Sequence, residues 1–179
     1  MPLRSTICHY AVLKEASTTT KVRVVFDGSA KTSTGYSLND ALQVGPIVQD
    51  EFLTLVLRFR KYPITLVADI AKMYRQVLLH PEYTSLQRIL WRFNLNAPVA
   101  TNELQTVTYG LAPSSFLATR TLQQLAADDS DTYLLGGPAL RKGFYVDDYI
   151  GGANTLEVAI QTREELDELL GRGGFQLRK

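Results

Sequence analysis

Cysteine is almost absent from this 179-residue sequence, in which Cys8 is the single one. An intramolecular disulfide is therefore excluded, and the composition fits a reducing compartment. No apolar run approaches the roughly 18–20 residues needed to span a bilayer. Residues 1–4 also lack the apolar core of a signal peptide. These absences predict an intracellular protein without a membrane segment.

The sequence also lacks an excess of either charge, because its formal net charge is +1. This balance neither demands nor forbids a nucleic-acid partner, although a dedicated binder would usually be more basic. A hydrophobic content of 45% and a charged content of 21% are ordinary for a globular domain. No repeat, low-complexity tract or linker divides the chain, and its length suits one sizeable core. Because residues 175–179 still have the pattern of a strand, we expect a fragment of a longer protein.

The most informative feature is a pair of adjacent carboxylates, Asp147 and Asp148, inside the apolar run 144–150. The run predicts a β-hairpin with the pair at or beside its turn. Two carboxylates on a rigid apolar hairpin repel each other unless a cation or a proton compensates. Oxygen ligands without nearby His or Cys favour Mg²⁺ over zinc. The alternative is a solvated pair, which is our interpretation of Asp128 and Asp129 at the polar end of a predicted helix.

A third carboxylate, Asp69, ends the apolar run 64–68, which predicts a strand buried on both faces. Asp69 could instead cap a following turn. If the strand pairs beside the hairpin, Asp69 meets Asp147 and Asp148 at one edge of the sheet. Three carboxylates there could hold two Mg²⁺ ions roughly 3.5–4 Å apart, the arrangement used in phosphoryl transfer.

The remaining pattern predicts an α+β domain with helices on one face of an antiparallel sheet. The predicted strands are 21–27, 88–93, 104–109 and 175–179. The predicted helices begin at Pro46 and run to residue 59, cover residues 116–126, and cover 156–170 with Asn154 or Thr155 as N-cap. Residues 83–86 predict one helical turn, residues 1–20 are poorly patterned with a loop tip at 17–20, and residues 28–46 predict a loop. Residues 128–142 predict a loop that can include one turn of helix.

Four motifs in order resemble those of reverse transcriptases and cover the chain from about residue 10 to 179. Residues 145–148 (Tyr-Val-Asp-Asp) resemble the signature hairpin, and residues 69–74 (Asp-Ile-Ala-Lys-Met-Tyr) resemble the motif with the third catalytic Asp. Residues 23–27 followed by Leu38-Asn39 resemble the fingers strand, and residues 173–177 resemble the segment that closes the palm. Residues 11–15, 24–29 and 116–120 most resemble BEL/Pao-type LTR retrotransposons.

The resemblance implies a right-hand polymerase fold, with an antiparallel palm sheet backed by helices and with fingers, but without a thumb. It implies one domain over residues 1–179, of which 1–62 are mainly fingers and 63–179 mainly palm with some fingers. The implied activity is RNA-directed DNA synthesis. The implied partners are two Mg²⁺ ions, dNTPs and an RNA or DNA template with primer. The other polyprotein domains (thumb, RNase H, protease and integrase) are also expected, in cytoplasmic retrotransposon particles.

The resemblance also implies residue roles. Asp69, Asp147 and Asp148 match the catalytic metal ligands, joined by the backbone carbonyl of Ile70. Arg23 matches the triphosphate-binding Arg, with Lys14 or Lys21 as its basic partner. Tyr74 matches the residue beneath the deoxyribose, beside Met73, although a core aromatic is the alternative. The segments that touch template or primer match Tyr109, Gly110, Tyr145 and Val146.

Two positions depart from the family pattern. Pro113 comes earlier than the family's usual Pro, which could shift the loop that supports the template. Tyr149 follows the Asp pair where an aliphatic residue is commoner. A degenerate retroelement remnant that binds nucleic acid or protein weakly is therefore the alternative to an active polymerase. A different two-metal palm enzyme, such as a nucleotide cyclase, leaves the fingers strand and Tyr74 without explanation.

Overall fold

The computed structural model describes residues 5–16, 21–129 and 131–178. The chain forms two units that are each discontinuous in sequence. Unit 1 contains the described residues of Met1–Gly45 and Val77–Ser114, and unit 2 contains those of Pro46–Gln76 and Ser115–Lys179. The chain therefore passes from one unit to the other three times.

Unit 1 is built on two short antiparallel strand pairs. Strand β1 (Cys8–Leu13) pairs with β2 (Val22–Asp27), and β4 (Arg88–Trp91) pairs with β5 (Ala100–Glu103). A short helix α1 (Leu38–Ala41) and a 3₁₀ helix (Pro81–Leu86) complete it. The buried core consists of Ile7, Phe26 and Leu111, against which Leu38, Leu42, Ile89, Leu104 and Tyr109 pack.

Unit 2 contains a four-stranded antiparallel sheet in the order β6–β7–β3–β8. Its strands are β3 (Ile64–Ile70), β6 (Phe144–Tyr145), β7 (Asp148–Ala153) and β8 (Leu177–Arg178). Its helices are α2 (Phe52–Phe59), α3 (Met73–Gln76), α4 (Ser114–Asp128), α5 (Gly136–Gly143) and α6 (Leu156–Arg172), with the first residue of α4 belonging to unit 1. The predicted pairing of the 64–68 strand with the hairpin is confirmed.

The two faces of this sheet differ in burial. Ile70 and Tyr149 lie on one face and are 1% and 4% exposed, whereas Val67 on the other face is 50% exposed. Helix α6 packs against β3 and β7 and buries Leu166, Leu169 and Leu170. Each buried leucine contributes about 1.5–3 kcal/mol. The prediction that this strand is buried on both faces was wrong, because Thr65 and Val67 are exposed.

Tyr149 is held between two glycines. A Cβ added at Gly143 would lie 2.3 Å from the Tyr149 ring, and one added at Gly151 would lie 2.4 Å from its hydroxyl oxygen. Phe144 packs against the same ring, with centroids 5.2 Å apart. Burial raises the pKa of the Tyr149 phenol to about 12. The aromatic residue after the Asp pair is therefore accommodated by glycines on both sides.

Several predicted boundaries were wrong. Helix α2 begins at Phe52 rather than at Pro46. Helix α5 has eight residues, which exceeds the single helical turn that the predicted 128–142 loop allowed. The N–H groups of Leu135 and Gly136 at its start donate to the carboxylate of Glu165 on α6. That distant acceptor replaces the local cap that sequence analysis looks for.

Three strand predictions in unit 1 also need correction. Strand β1 lies in the stretch that seemed poorly patterned. The predicted strand 104–109 is irregular, since Leu104 and Val107 donate their N–H groups to Gln87 and Val77 outside a ladder. The strand lies instead at Ala100–Glu103. The predicted loop tip at 17–20 lies outside the described residues.

Candidate active site

The two-residue turn of the hairpin is formed by Val146 and Asp147, between β6 and β7. Val146 has a φ of 57°, which is the left-handed conformation that a two-residue hairpin turn requires and that a β-branched residue rarely adopts. Its N–H donates to the Gln49 side-chain oxygen over 3.1 Å. The carbonyl of Asp147 accepts the Ile70 N–H over 2.8 Å. These two contacts fix the turn beside the end of β3.

A row of four side chains crosses the sheet at this end. Tyr145 pairs with Asp148, Asp148 with Asp69, and Asp69 with Arg178. Directly opposed residues of an antiparallel pair project to the same face, with Cβ atoms about 4.5–5.5 Å apart. The face therefore carries two adjacent carboxylates, with an aromatic ring on one side and a guanidinium on the other. Arg178 was not predicted as a member of this row, because its strand was predicted but the register of the strand was not.

The electrostatics connect Asp147 with the same row. The pKa of the Asp147 carboxyl is raised, first by burial and then by the charges of Asp148 and Asp69, while its own backbone N–H works in the opposite direction. Each neighbouring carboxylate disfavours ionisation of Asp147, as expected for like charges. The three predicted catalytic carboxylates are thus close enough to interact.

The residue types at this end of the sheet are those that a hard cation prefers, because Asp69 on β3, Asp147 on the turn and Asp148 on β7 carry carboxylates and no His or Cys stands among them. Within residues 5–16, 21–129 and 131–178, however, no three or more side chains of His, Cys, Asp and Glu are grouped so that they could hold a metal ion. Asp69 and Asp147 stay the predicted direct ligands. The buried Ile70 lies next to Asp69 and could add only a backbone oxygen.

Tyr74 lies on α3, immediately after β3. Its hydroxyl shares a hydrogen bond of 3.2 Å with the Ser115 hydroxyl on α4, and the residue is half-buried. Met73 is 1% exposed, so its side chain belongs to the core and only its backbone could face a nucleotide. Lys72 is exposed and has a φ of 51°, which marks a second strained position near the carboxylates in sequence.

The predicted triphosphate-binding cations are in unit 1. Lys14 and Lys21 are joined by a backbone hydrogen bond of 2.8 Å, and Arg23 lies opposite Val12 on the neighbouring strand. All three side chains are exposed. The end of the β1–β2 pair at which the chain passes from β1 to β2 therefore presents three cations, and either lysine remains a candidate partner for Arg23.

The predicted template-side residues Tyr109 and Gly110 are also in unit 1. The Tyr109 hydroxyl donates to the Val24 carbonyl over 2.7 Å, and its ring packs edge-on against Phe26. Gly110 has a φ of 90°, and a Cβ there would lie 2.1 Å from the Phe26 carbonyl oxygen. No other residue fits at that position without moving the β2 backbone.

Asn39 explains how the segment around Pro113 is held. Its side-chain amide donates to the Gly110 carbonyl over 3.1 Å, and its side-chain oxygen accepts the Ala112 N–H over 2.8 Å. The Ser114 hydroxyl closes the segment by donating to the Thr108 carbonyl over 2.5 Å. The Asn of the fingers-like motif therefore supports the Gly110 loop directly.

Comparison with solved structures shows a reverse-transcriptase-like fold. The native protease–reverse transcriptase of prototype foamy virus superposes with a TM-score of 0.68, at 16% identity over 98% of this chain and 20% of that chain. A selenomethionine-labelled CSH mutant of it superposes with a TM-score of 0.70, at 16% identity over 99% of this chain and 21% of that chain. The foamy viral protease–reverse transcriptase in complex with an RNA/DNA hybrid superposes with a TM-score of 0.71, at 13% identity over 99% of this chain and 21% of that chain.

This chain thus spans about a fifth of the length of those proteins. No protein-family model matches it, and no curated protein matches it. The α+β class with antiparallel sheets is confirmed. None of the helices in the described ranges combines the length and apolar character that a membrane crossing requires.

Proposed function

We propose that this chain is the fingers and palm part of an RNA-directed DNA polymerase from a BEL/Pao-type retrotransposon. The observation that carries the proposal is the register that opposes Asp69 and Asp148, with Asp147 on the adjoining turn. The fold likeness to a reverse transcriptase supports the class. The retrotransposon type rests on the sequence motifs.

In this proposal residues 1–62 serve mainly as the fingers, and residues 63–179 serve mainly as the palm with some fingers. Two Mg²⁺ ions would activate the primer 3′-hydroxyl and stabilise the leaving oxygen. Asp69 and Asp147 would hold those ions, and Asp148 would add negative charge from the next strand position. Val146 keeps Asp147 at the tip through its left-handed backbone. Because Gln49 and Ile70 bind the turn, the acidic tip is pre-positioned before substrate arrives.

The remaining residues recognise the nucleotide and the template. Arg23, with Lys14 or Lys21, neutralises the triphosphate. Tyr74 lies beneath the deoxyribose and is oriented by Ser115. Tyr109 and Gly110 support the templating base, while Tyr145 and Val146 face the primer end. The rest of the polyprotein, including a thumb, supplies the phosphate contacts that fasten primer and template.

Primer extension tests this proposal. The chain joined to a thumb domain should extend an oligo(dT) primer on a poly(rA) template with Mg²⁺ and dTTP. The Asp147→Asn variant should lose this activity, whereas Asp128→Asn, which changes an acidic residue at the end of α4, should keep it. Loss in both variants, or retention in both, would reject the assignment of Asp147. A folded protein that fails to extend any primer would identify a degenerate remnant instead.

A further inference from the structure

The end of the β4–β5 hairpin exposes apolar groups that no described residue of unit 1 covers. Phe93 is 89% exposed and Leu95 81%, while Trp91, the last residue of β4, is 46% exposed. A nearly bare phenylalanine is costly to keep in water, at about 25 cal/mol per Å² of apolar surface. We call residues 91–95 the hairpin tip. Two aromatic residues two positions apart form its most conspicuous feature.

The base of this hairpin is fixed firmly. The Arg88 carbonyl accepts the Ile7 N–H over 2.7 Å, and the Arg88 side chain donates to the Ser5 carbonyl over 3.2 Å. The Trp91 ring lies 6.1 Å from the His9 ring on β1. The exposed rings therefore project from a rigid support, so little conformational entropy is lost when they bind a partner.

The charge on the hairpin favours one class of partner. Arg92 lies between Trp91 and Phe93, and residues 88–102 contain no Asp or Glu. One Arg92 nitrogen donates to the Leu95 carbonyl over 3.3 Å, which orders the loop, and the residue is exposed. Aromatic faces beside a guanidinium, without carboxylates, match the stacking platforms that bind unpaired bases and their phosphates.

We propose that the hairpin tip stacks unpaired bases of a single-stranded nucleic acid on Phe93 and Trp91, with Arg92 on the adjacent phosphate. The inference deepens the proposed function, on which it rests, by naming where the unpaired template strand is held. Any base presents a π-face, so the binding is independent of sequence. Because the tip has one cation, it should contribute about −0.7 to the slope of the logarithm of the binding constant against the logarithm of the salt concentration.

Trp91 is the only tryptophan of the chain, so its fluorescence reports directly on this site. Titration of the 179-residue protein with single-stranded DNA of about 12 nucleotides should quench the emission, because that length lies within known site sizes. A duplex of the same length should quench it much less. Unchanged emission at saturating single strand, with binding seen by anisotropy of a labelled oligonucleotide, would overturn the inference.

Substitutions distinguish stacking of bases on the aromatic rings from electrostatic attraction of the phosphates. Phe93→Ala should weaken single-strand binding about 5- to 100-fold, as expected for the loss of one stacked base. Phe93→Tyr, which keeps the ring, should restore it, and Arg92→Gln should reduce the salt slope. Leu57→Ser, at a 58% exposed position of α2 in unit 2, is the matched control and should change nothing. Equal binding by Phe93→Ala and the control would refute the stacking site.

A protein partner is the competing outcome. If sedimentation shows self-association that Phe93→Ala and Leu95→Ser abolish, while single-strand affinity is unchanged, the tip is a protein contact and the inference is wrong. The two proposals fail separately. If the protein extends a primer and Phe93→Ala does not weaken single-strand binding, only the proposed stacking site is rejected. If Phe93→Ala weakens single-strand binding but the protein never extends a primer, only the proposed polymerase function is rejected.

Discussion

Asp69 and Asp148 occupy directly opposed positions on neighbouring antiparallel strands, although they are far apart in the sequence. The pairing places both carboxylates on the face of the sheet that also carries the exposed Val67. Asp147 adjoins them on the turn, with a pKa raised by burial first and then by both neighbours. Burial and like-charge repulsion of this kind are typical of sites where a protein concentrates charge for function.

Asp147→Asn is expected to abolish primer extension and to leave the fold intact. The change removes a ligand's charge with little change in volume, and it also relieves repulsion from Asp69 and Asp148. The free energy of unfolding without Mg²⁺ should therefore stay level or rise. Urea denaturation in a chelating buffer measures this, with Asp128→Asn as control. A marked loss of stability would mean that the carboxylate has a structural role.

Tyr74→Val should narrow the discrimination against ribonucleotides with less effect on dNTP incorporation. In the proposed function the Tyr74 ring lies beneath the sugar and leaves no room for a 2′-hydroxyl, so we expect removal of the ring to admit it. Single-nucleotide incorporation of matched dNTP and rNTP by a thumb-containing protein gives the ratio. Ser115→Ala, which removes only the hydroxyl contact, is the companion variant and should have the smaller effect. An unchanged ratio of dNTP to rNTP incorporation in Tyr74→Val would show that Tyr74 is not the residue that excludes ribonucleotides.

Gly143→Ala and Gly151→Ala should each destabilise the protein by about 1–3 kcal/mol through overpacking. The added methyl would lie within 2.4 Å of Tyr149, which is enclosed and cannot move freely. Gly171→Ala is the matched control, because Gly171 is inside α6 with no atom within 4 Å of an added Cβ. It should stabilise by about 0.4–1 kcal/mol. Thermal and urea unfolding compare the three variants, and equal stability of all three would contradict the packing argument.

Glu165 should make stability depend on acidic pH. Burial alone would raise the pKa of this carboxyl, but the N–H groups of Gly136 and Leu135 and the Gln161 amide outweigh it and hold the pKa below the ordinary value of 4.5. A lowered folded-state pKa gives stabilisation that is present above about pH 4.5 and is lost as the pH falls through the folded value.

The measurement for Glu165 compares wild type with Glu165→Ala by urea unfolding from neutral to acidic pH. At neutral pH the variant should be less stable by about 1 kcal/mol, the usual cost of losing a helix cap. The difference should shrink as the pH falls below the folded-state pKa. Glu164→Ala, at an exposed position beside it, is the control and should show no such trend. A difference that is constant with pH would contradict the role of the ionised Glu165.

The parts of the site that were predictable from sequence were those with local signals. Apolar flanks marked the hairpin around Asp147, and a short apolar run ending in Asp69 marked its partner strand. The register was not predictable, so the neighbour Arg178 went unseen. Helix α5 was not predicted at its full length, because it begins with Gly136-Gly137-Pro138, a poor helix start, and depends on a hydrogen bond to Glu165 on a distant helix. Long-range hydrogen bonds of that kind leave no periodic pattern.

The alternation of side chains along a strand gives the Asp69–Asp148 pairing a further consequence. Successive residues of β3 face opposite sides of the sheet, so a slip by one position would exchange its two faces. Asp69 would then point into the layer that contains Tyr149, and Ile70 would take its place in the open. An insertion or deletion of one residue within β3 is therefore as damaging to the acidic cluster as loss of a carboxylate.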